Sequence, residues 1–197
     1  MMRKHISTVF VVGILLAAMV FAAGCTSNVN NTPTPSVASA TRDPKFVPKN
    51  TSGYLTYSNS SAGVSIQYPS SLQKKEGSGN EIVSFNVSGL PSMFFTVYTQ
   101  DFSGTTVTLN DFSQGALPTN LTNFKLVNST NITLSGYPAK KHLFTYMNFD
   151  GTTSQGMLQL TLVNRTGYEL LYVATQSTYP TYLGIAQNMT QSFNITK

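Results

Sequence analysis

Beyond the first 25 residues the chain has one histidine, His142, and no further cysteine. A lone His supplies neither a His pair for a metal nor a Cys–His nucleophile, so a structural or surface role is expected for it. Ser71-Leu72-Gln73-Lys74 has the Ser-x-x-Lys spacing in which a lysine can help activate a serine. The Ser-Asp-Asn and Lys-Thr-Gly partners that complete such a site are absent, which favours chance. No Gly-x-Ser-x-Gly, phosphate-binding loop or dinucleotide fingerprint occurs. The acids Glu76, Glu81, Asp101, Asp111, Asp150 and Glu169 are scattered. Two of them could meet as a general acid–base pair or a weak cation site, and solvated surface carboxylates are the plainer account. No catalytic residue, metal ligand or cofactor is therefore assigned.

Cys25 is the residue with the sharpest chemical meaning. Arg3, Lys4 and His5 precede an apolar run, 6–21, broken only by Ser7, Thr8 and Gly13, and Ala22-Ala23-Gly24-Cys25 follows. Basic start, apolar segment and small-residue site are the order of a secretory signal. A Cys directly after Ala-Gly resembles the lipobox of prokaryotic lipoproteins, in which the thiol takes a lipid and the Cys becomes the mature N-terminus. Ala22 stands where that motif usually has Leu. An uncleaved single transmembrane anchor is the alternative, although 6–23 is short against the roughly 20 apolar residues that span a bilayer. Either way the remainder is expected on the extracytoplasmic face, held to the membrane.

The expected organisation is a signal over 1–24, the lipidated Cys25 with a stalk over 25–52, and one domain over 53–197. The stalk is rich in Ser, Thr and Pro and carries few large apolar side chains, too few to offset its ordering entropy. As a flexible coil it reaches roughly 25–30 Å. It also carries the charge. The formal net charge is +5, yet from Thr51 onward seven basic residues face six acids. With no Trp and no basic interleaving of its aromatics, the domain shows no footprint for nucleic acid.

Ten asparagines match Asn-X-Ser/Thr, while sixteen Asn among 48 Ser plus Thr would give about four by chance. Asn164, Asn120, Asn128, Asn59 and Asn50 are the candidate glycan acceptors, with Asn164 favoured because Asn164-Arg165-Thr166-Gly167 reads as an exposed hairpin tip. Asn86 lies inside a predicted strand. The competing account is a strand-rich protein whose turns favour Asn, Ser and Thr. A lipobox with dense acceptors points to a prokaryotic, archaeal-type cell surface.

The elements that must position these residues are mostly short strands. Val64, Ile66 and Tyr68 alternate before Pro69, and Val83, Phe85 and Val87 share one face of 81–89. Segment 93–102 is apolar on both faces near its start. A strand over 141–149 runs into Asp150-Gly151, which suits a tight hairpin. The return strand puts Leu158, Leu160 and Leu162 on one face, with Met157 and Val163 on the other. Segment 168–176 is again apolar on both faces, so both must be covered. Two helices can do so. Thr108 and Asp111 are spaced as a capping box before Phe112, Ala116 and Leu117. Pro180 sits at a first helical position, followed by Tyr182, Ile185, Ala186, Met189 and Phe193 along one helical face. An α+β fold follows, an antiparallel sheet with helices on both faces; an all-β sandwich is the alternative.

Four segments, in this order, resemble the PsbP family, the extrinsic proteins of photosystem II, and more closely its non-photosynthetic prokaryotic relatives. They are Gly63-Val64-Ser65-Ile66-Gln67-Tyr68-Pro69, Leu134-Ser135-Gly136-Tyr137-Pro138-Ala139, Gly167-Tyr168-Glu169-Leu170-Leu171-Tyr172 and Met189-Thr190-Gln191-Ser192-Phe193. The resemblance spans 54–197 and implies an α/β/α sandwich with no catalytic site. The expected function is a lipid-anchored, non-catalytic binding or assembly module with a surface protein or glycan partner. A ligand or metal-ion binding protein serving a membrane transporter or redox complex is the alternative, and a hydrolase with an unrecognised site is a third reading.

Overall fold

A computed structural model describes residues 53–196. Its ten strands are β1 Tyr54–Asn59, β2 Val64–Pro69, β3 Gln73–Glu76, β4 Glu81–Val87, β5 Leu90–Asp101, β6 Lys125–Leu134, β7 Tyr137–Met147, β8 Thr153–Val163, β9 Thr166–Thr175 and β10 Asn194–Ile195; its helices are α1 Leu109–Gly115 and α2 Tyr179–Ser192. Every pairing is antiparallel. The fold is α+β and the all-β alternative falls, because both predicted helices form. The sequence leads to one sheet, whereas the chain builds two. Seven strands follow the order β3-β4-β5-β9-β8-β7-β6, and β1-β2-β10 form a separate three-stranded sheet. The physical reason lies in β2: Val64, Ile66 and Tyr68 are buried in the main core, so that strand packs onto the large sheet as a layer rather than extending it.

The helix signals operate as written. The Thr108 hydroxyl accepts from the Asp111 amide at 3.2 Å, and the Asp111 carboxylate accepts from the Thr108 amide at 3.1 Å. This reciprocal cap satisfies two otherwise orphaned donors. Helix α2 has Pro in its first turn and buries Tyr179, Ala186 and Met189.

Successive residues of a strand point to opposite faces, and β8 sorts its side chains accordingly. Leu158 and Leu160 join Phe112 of α1 and Phe144 of β7 in one core. Met157 and Val163 belong to the other, with Phe85, Phe95, Tyr168, Tyr172 and the buried side of α2. Gln159 lies between them in sequence and donates to Thr190 of α2 at 3.2 Å. The Tyr172 hydroxyl donates to the Tyr179 carbonyl at 2.8 Å, fixing the start of α2 over β9. At the far end of α2 the Ser192 hydroxyl accepts from the Gln67 amide at 2.9 Å, tying the helix to the small sheet.

The two cores need glycine at two places of close approach. A Cβ on Gly156 would stand 2.2 Å from the Phe144 ring, its partner across the β7–β8 ladder. One on Gly167 would stand 2.6 Å from the ring of Phe112 and 3.0 Å from that of Phe102.

Candidate functional site

The sole domain histidine has a partner that sequence spacing does not reveal. Its Nε2 lies 2.9 Å from the Ser113 hydroxyl, across 29 residues of chain. Helix α1, fixed by its cap, lowers Ser113 onto β7. That is hydrogen-bond reach for a nucleophile and its base. Both side chains are 0% exposed, and Nδ1 of His142 is buried with no hydrogen-bond partner. Among the described residues no carboxylate bonds the imidazole, and the packed core seals both side chains from solvent. Burial, with Lys140 adding to it, holds the imidazole below the usual histidine range and therefore neutral. The pair pins α1 to the sheet.

The Ser71–Lys74 spacing does not become a pair. Ser71 is exposed at a turn, and the Lys74 ammonium is bonded to Glu76, which also accepts from the Tyr57 hydroxyl at 3.0 Å. Three of the six acids serve their own turns. Asp101 accepts from the Ser103 amide at 2.8 Å, Asp111 completes the α1 cap, and Asp150 accepts from the Thr152 amide at 2.9 Å. These bonds hold all three carboxyls below their ordinary range. Glu169 differs. On β9 between Tyr98 and Leu160, it is pushed up to about 7 by burial. Among the described residues no three His, Cys, Asp or Glu side chains are grouped to hold a metal ion. A pocket of about 100 Å³ lies beside Leu90, Ser92, Met93, Thr175 and Thr178. It is well below the roughly 300–1,000 Å³ of ordinary small-molecule sites and offers no ionisable group.

Lys140 and Lys141 are adjacent cations on β7. That strand lies between β8 and the edge strand β6, and both lysines are half-buried.

Cys25 and Asn50 lie outside the described residues. Asn164 is exposed at the β8–β9 hairpin tip, where it and Arg165 both have positive φ, 49° and 65°, the geometry of a two-residue hairpin turn. Asn120 and Asn128 are exposed, the latter on edge strand β6. Asn59 is half-buried; its amide nitrogen donates to Tyr57 and its oxygen accepts from the Ala62 amide at 2.8 Å, closing the β1–β2 turn. None of the described helices is long and apolar enough to cross a membrane.

No protein-family model and no curated protein matches the chain. Solved structures do match. Cyanobacterial PsbP (CyanoP) from Synechocystis sp. PCC 6803 superposes with a TM-score of 0.59 at 13% identity, covering 78% of this chain and 98% of that one. LpqN, involved in cell envelope biogenesis of Mycobacterium tuberculosis, superposes with a TM-score of 0.53 at 15% identity, over 68% and 83% of the two chains. A protein from Bacteroides thetaiotaomicron gives 0.52 at 12% identity, with 72% of this chain covering 48% of that one. Two sheets, two helices and these superpositions agree on one conclusion: the fold is PsbP-like.

Proposed function

We propose that this chain is a lipid-anchored, extracytoplasmic PsbP-like domain that works as a non-catalytic binding or assembly module at the cell surface. The observation that carries the non-catalytic part is the sealed Ser113–His142 pair: the domain's single histidine meets a serine hydroxyl in a core closed to any substrate. The anchoring part rests on Ala23-Gly24-Cys25 after its apolar run. The involvement of LpqN in cell envelope biogenesis, and the extrinsic character that the PsbP resemblance implies, support the same placement. Within this reading the two helices flank opposite faces of the large sheet: Leu158 and Leu160 meet α1, while Gln159 between them meets α2. The partner is a surface protein or glycan.

Cys25→Ser tests the anchor. It should abolish lipid labelling and leave an uncleaved or mislocalised precursor; unchanged detergent partitioning with normal cleavage elsewhere overturns lipidation. Crosslinking on intact membranes, with mass spectrometry of captured proteins, tests the module. Most single replacements of the six domain acids should leave capture and cellular phenotype intact, whereas altering one contiguous surface should abolish capture. Loss of phenotype from one carboxylate, with folding and capture preserved, overturns the non-enzymatic reading.

A further inference from the structure

The large apolar side chains that the described residues expose are Leu55, Leu90, Leu126, Val127 and Phe149, and the strand registers put all five at one end of the molecule. Thr153 pairs with Met147, so the turn 148–152 that carries Phe149 caps that end. Val87 pairs with Leu90 at the β4–β5 hairpin, and Lys125 pairs with Thr145 where β6 begins, placing Leu90, Leu126 and Val127 beside it. Leu55 pairs with Tyr68 near the close of β2, and the chain then enters β3, whose Gln73 pairs with Asn86 at the same end. The opposite end carries polar turns instead: Asn164-Arg165, Ser135-Gly136 and the β3–β4 turn with exposed Asn80.

Scattered single exposed hydrophobics are ordinary on a soluble surface; five confined to one end are not. The point of entry of the preceding chain gives the reason. Gly53 accepts through its carbonyl from the Ser70 amide at 2.7 Å, next to the Tyr54–Pro69 pair that opens β1. The 52 residues that precede the domain therefore join it at the apolar end. Phe149 is 96% exposed on a turn held by Asn148, whose amide donates to the Thr152 carbonyl at 2.8 Å. Exposed Lys125 stands next to Leu126 and adds a positive charge that suits anionic headgroups. Asp150, the acid of that turn, is bound back to the Thr152 amide and hydroxyl at 2.9 and 2.6 Å.

We infer that this end, led by Phe149, rests in the interface of the lipid bilayer that holds the N-terminus, leaving the Asn164 end pointing outward. The inference rests on the membrane-anchored reading above and adds an orientation to it. Aromatic and aliphatic side chains flanked by a lysine are the composition that interfacial binding uses.

The chain has no Trp, so one introduced Trp reports its own surroundings alone. Full-length Phe149→Trp, Leu90→Trp and Asn80→Trp chains are reconstituted into vesicles of phosphatidylcholine and phosphatidylglycerol, with and without brominated acyl chains. Phe149→Trp and Leu90→Trp should emit at shorter wavelength and lose emission to bromine, while Asn80→Trp should do neither. If the chain floats with the vesicles yet Phe149→Trp responds no more than Asn80→Trp, docking is overturned and anchoring stands. A chain that does not float overturns both. A photo-crosslinking residue at position 149 that captures a protein in native membranes, while Phe149→Trp does not respond to protein-free vesicles, assigns this end to a protein partner and overturns the lipid inference.

Discussion

Ser113 of α1 and His142 of β7 meet at 2.9 Å with no solvent access to either, a polar tie in the core beneath α1. Its energetics are those of a buried hydrogen bond with one orphaned atom, Nδ1. Such a bond contributes about 1 kcal/mol net, but removing one partner leaves the other unsatisfied at about 1–3 kcal/mol. Ser113→Ala should therefore lower stability by that larger amount, read as a shift in the urea midpoint. His142→Phe together with Ser113→Ala should cost less than the two single changes summed.

The same histidine sets an acid limit. Its folded-state value is held below the ordinary 6.5 by burial, so the unfolded chain takes up the proton first as pH falls. The stabilisation is complete above that ordinary value and is lost as pH drops through the folded one. His142→Phe should flatten this acid limb of a thermal-midpoint profile. An unchanged limb would assign acid sensitivity elsewhere.

Glu169 acts with the opposite sign. Its carboxyl is raised from 4.5 to about 7 by burial, so folding favours the protonated form. Stability from this group is present below 4.5 and falls as pH rises through about 7. Each pKa unit is worth about 1.4 kcal/mol, so Glu169→Gln should stabilise the fold by about 1–3 kcal/mol near pH 8 and by little near pH 4. Equal effects at both pH values would mean that Glu169 is not desolvated in the fold.

The pattern of the sequence carries local structure well and side-chain partnership poorly. Thr108 and Asp111 announce α1, Pro180 announces α2, and the two-faced 155–164 run sorts Leu158 and Met157 into different cores, because capping and alternation are set by near neighbours. Strand β3 is four exposed residues, Gln73–Glu76, with no apolar alternation to mark it. Strand β6 leaves most of its length exposed at the sheet edge, so it lacks the period-two signal too. The Ser113–His142 contact depends on where α1 lands, which no spacing within either segment encodes. The apolar end is equally hidden, since Leu90 and Phe149 look in sequence like core residues.

Gly167 shows why one motif has its composition. The Phe112 and Phe102 rings, 5.2 Å apart, occupy the space where its Cβ would be. Gly167→Ala should displace both rings and cost about 1–3 kcal/mol through overpacking. If Phe112 is the ring that must move, Phe112→Leu in the Gly167→Ala background should recover part of the loss. Thermal midpoints of the four proteins check this, and strictly additive costs would place the strain elsewhere.

Carbohydrate occupancy should follow backbone exposure rather than the acceptor pattern. At Asn164 the side chain leaves a two-residue turn at the outward tip, where an oligosaccharide displaces no packing. Asn86 is half-buried on β4, between β3 and β5, and a glycan there would meet neighbouring strands. Asn59 would surrender the bond from its amide nitrogen to the Tyr57 hydroxyl. Asn128 is exposed but adjoins Val127 at the apolar end, so a glycan there and lipid contact at Val127 compete for one surface. Intact glycopeptide analysis of protein from native membranes should find Asn164 modified, Asn86 and Asn59 bare, and Asn128 bare or nearly so. Unmodified peptide mass at every acceptor would reduce the ten matches to turn chemistry. Full occupancy of Asn128 would lift Val127 off any membrane and count directly against the docking orientation.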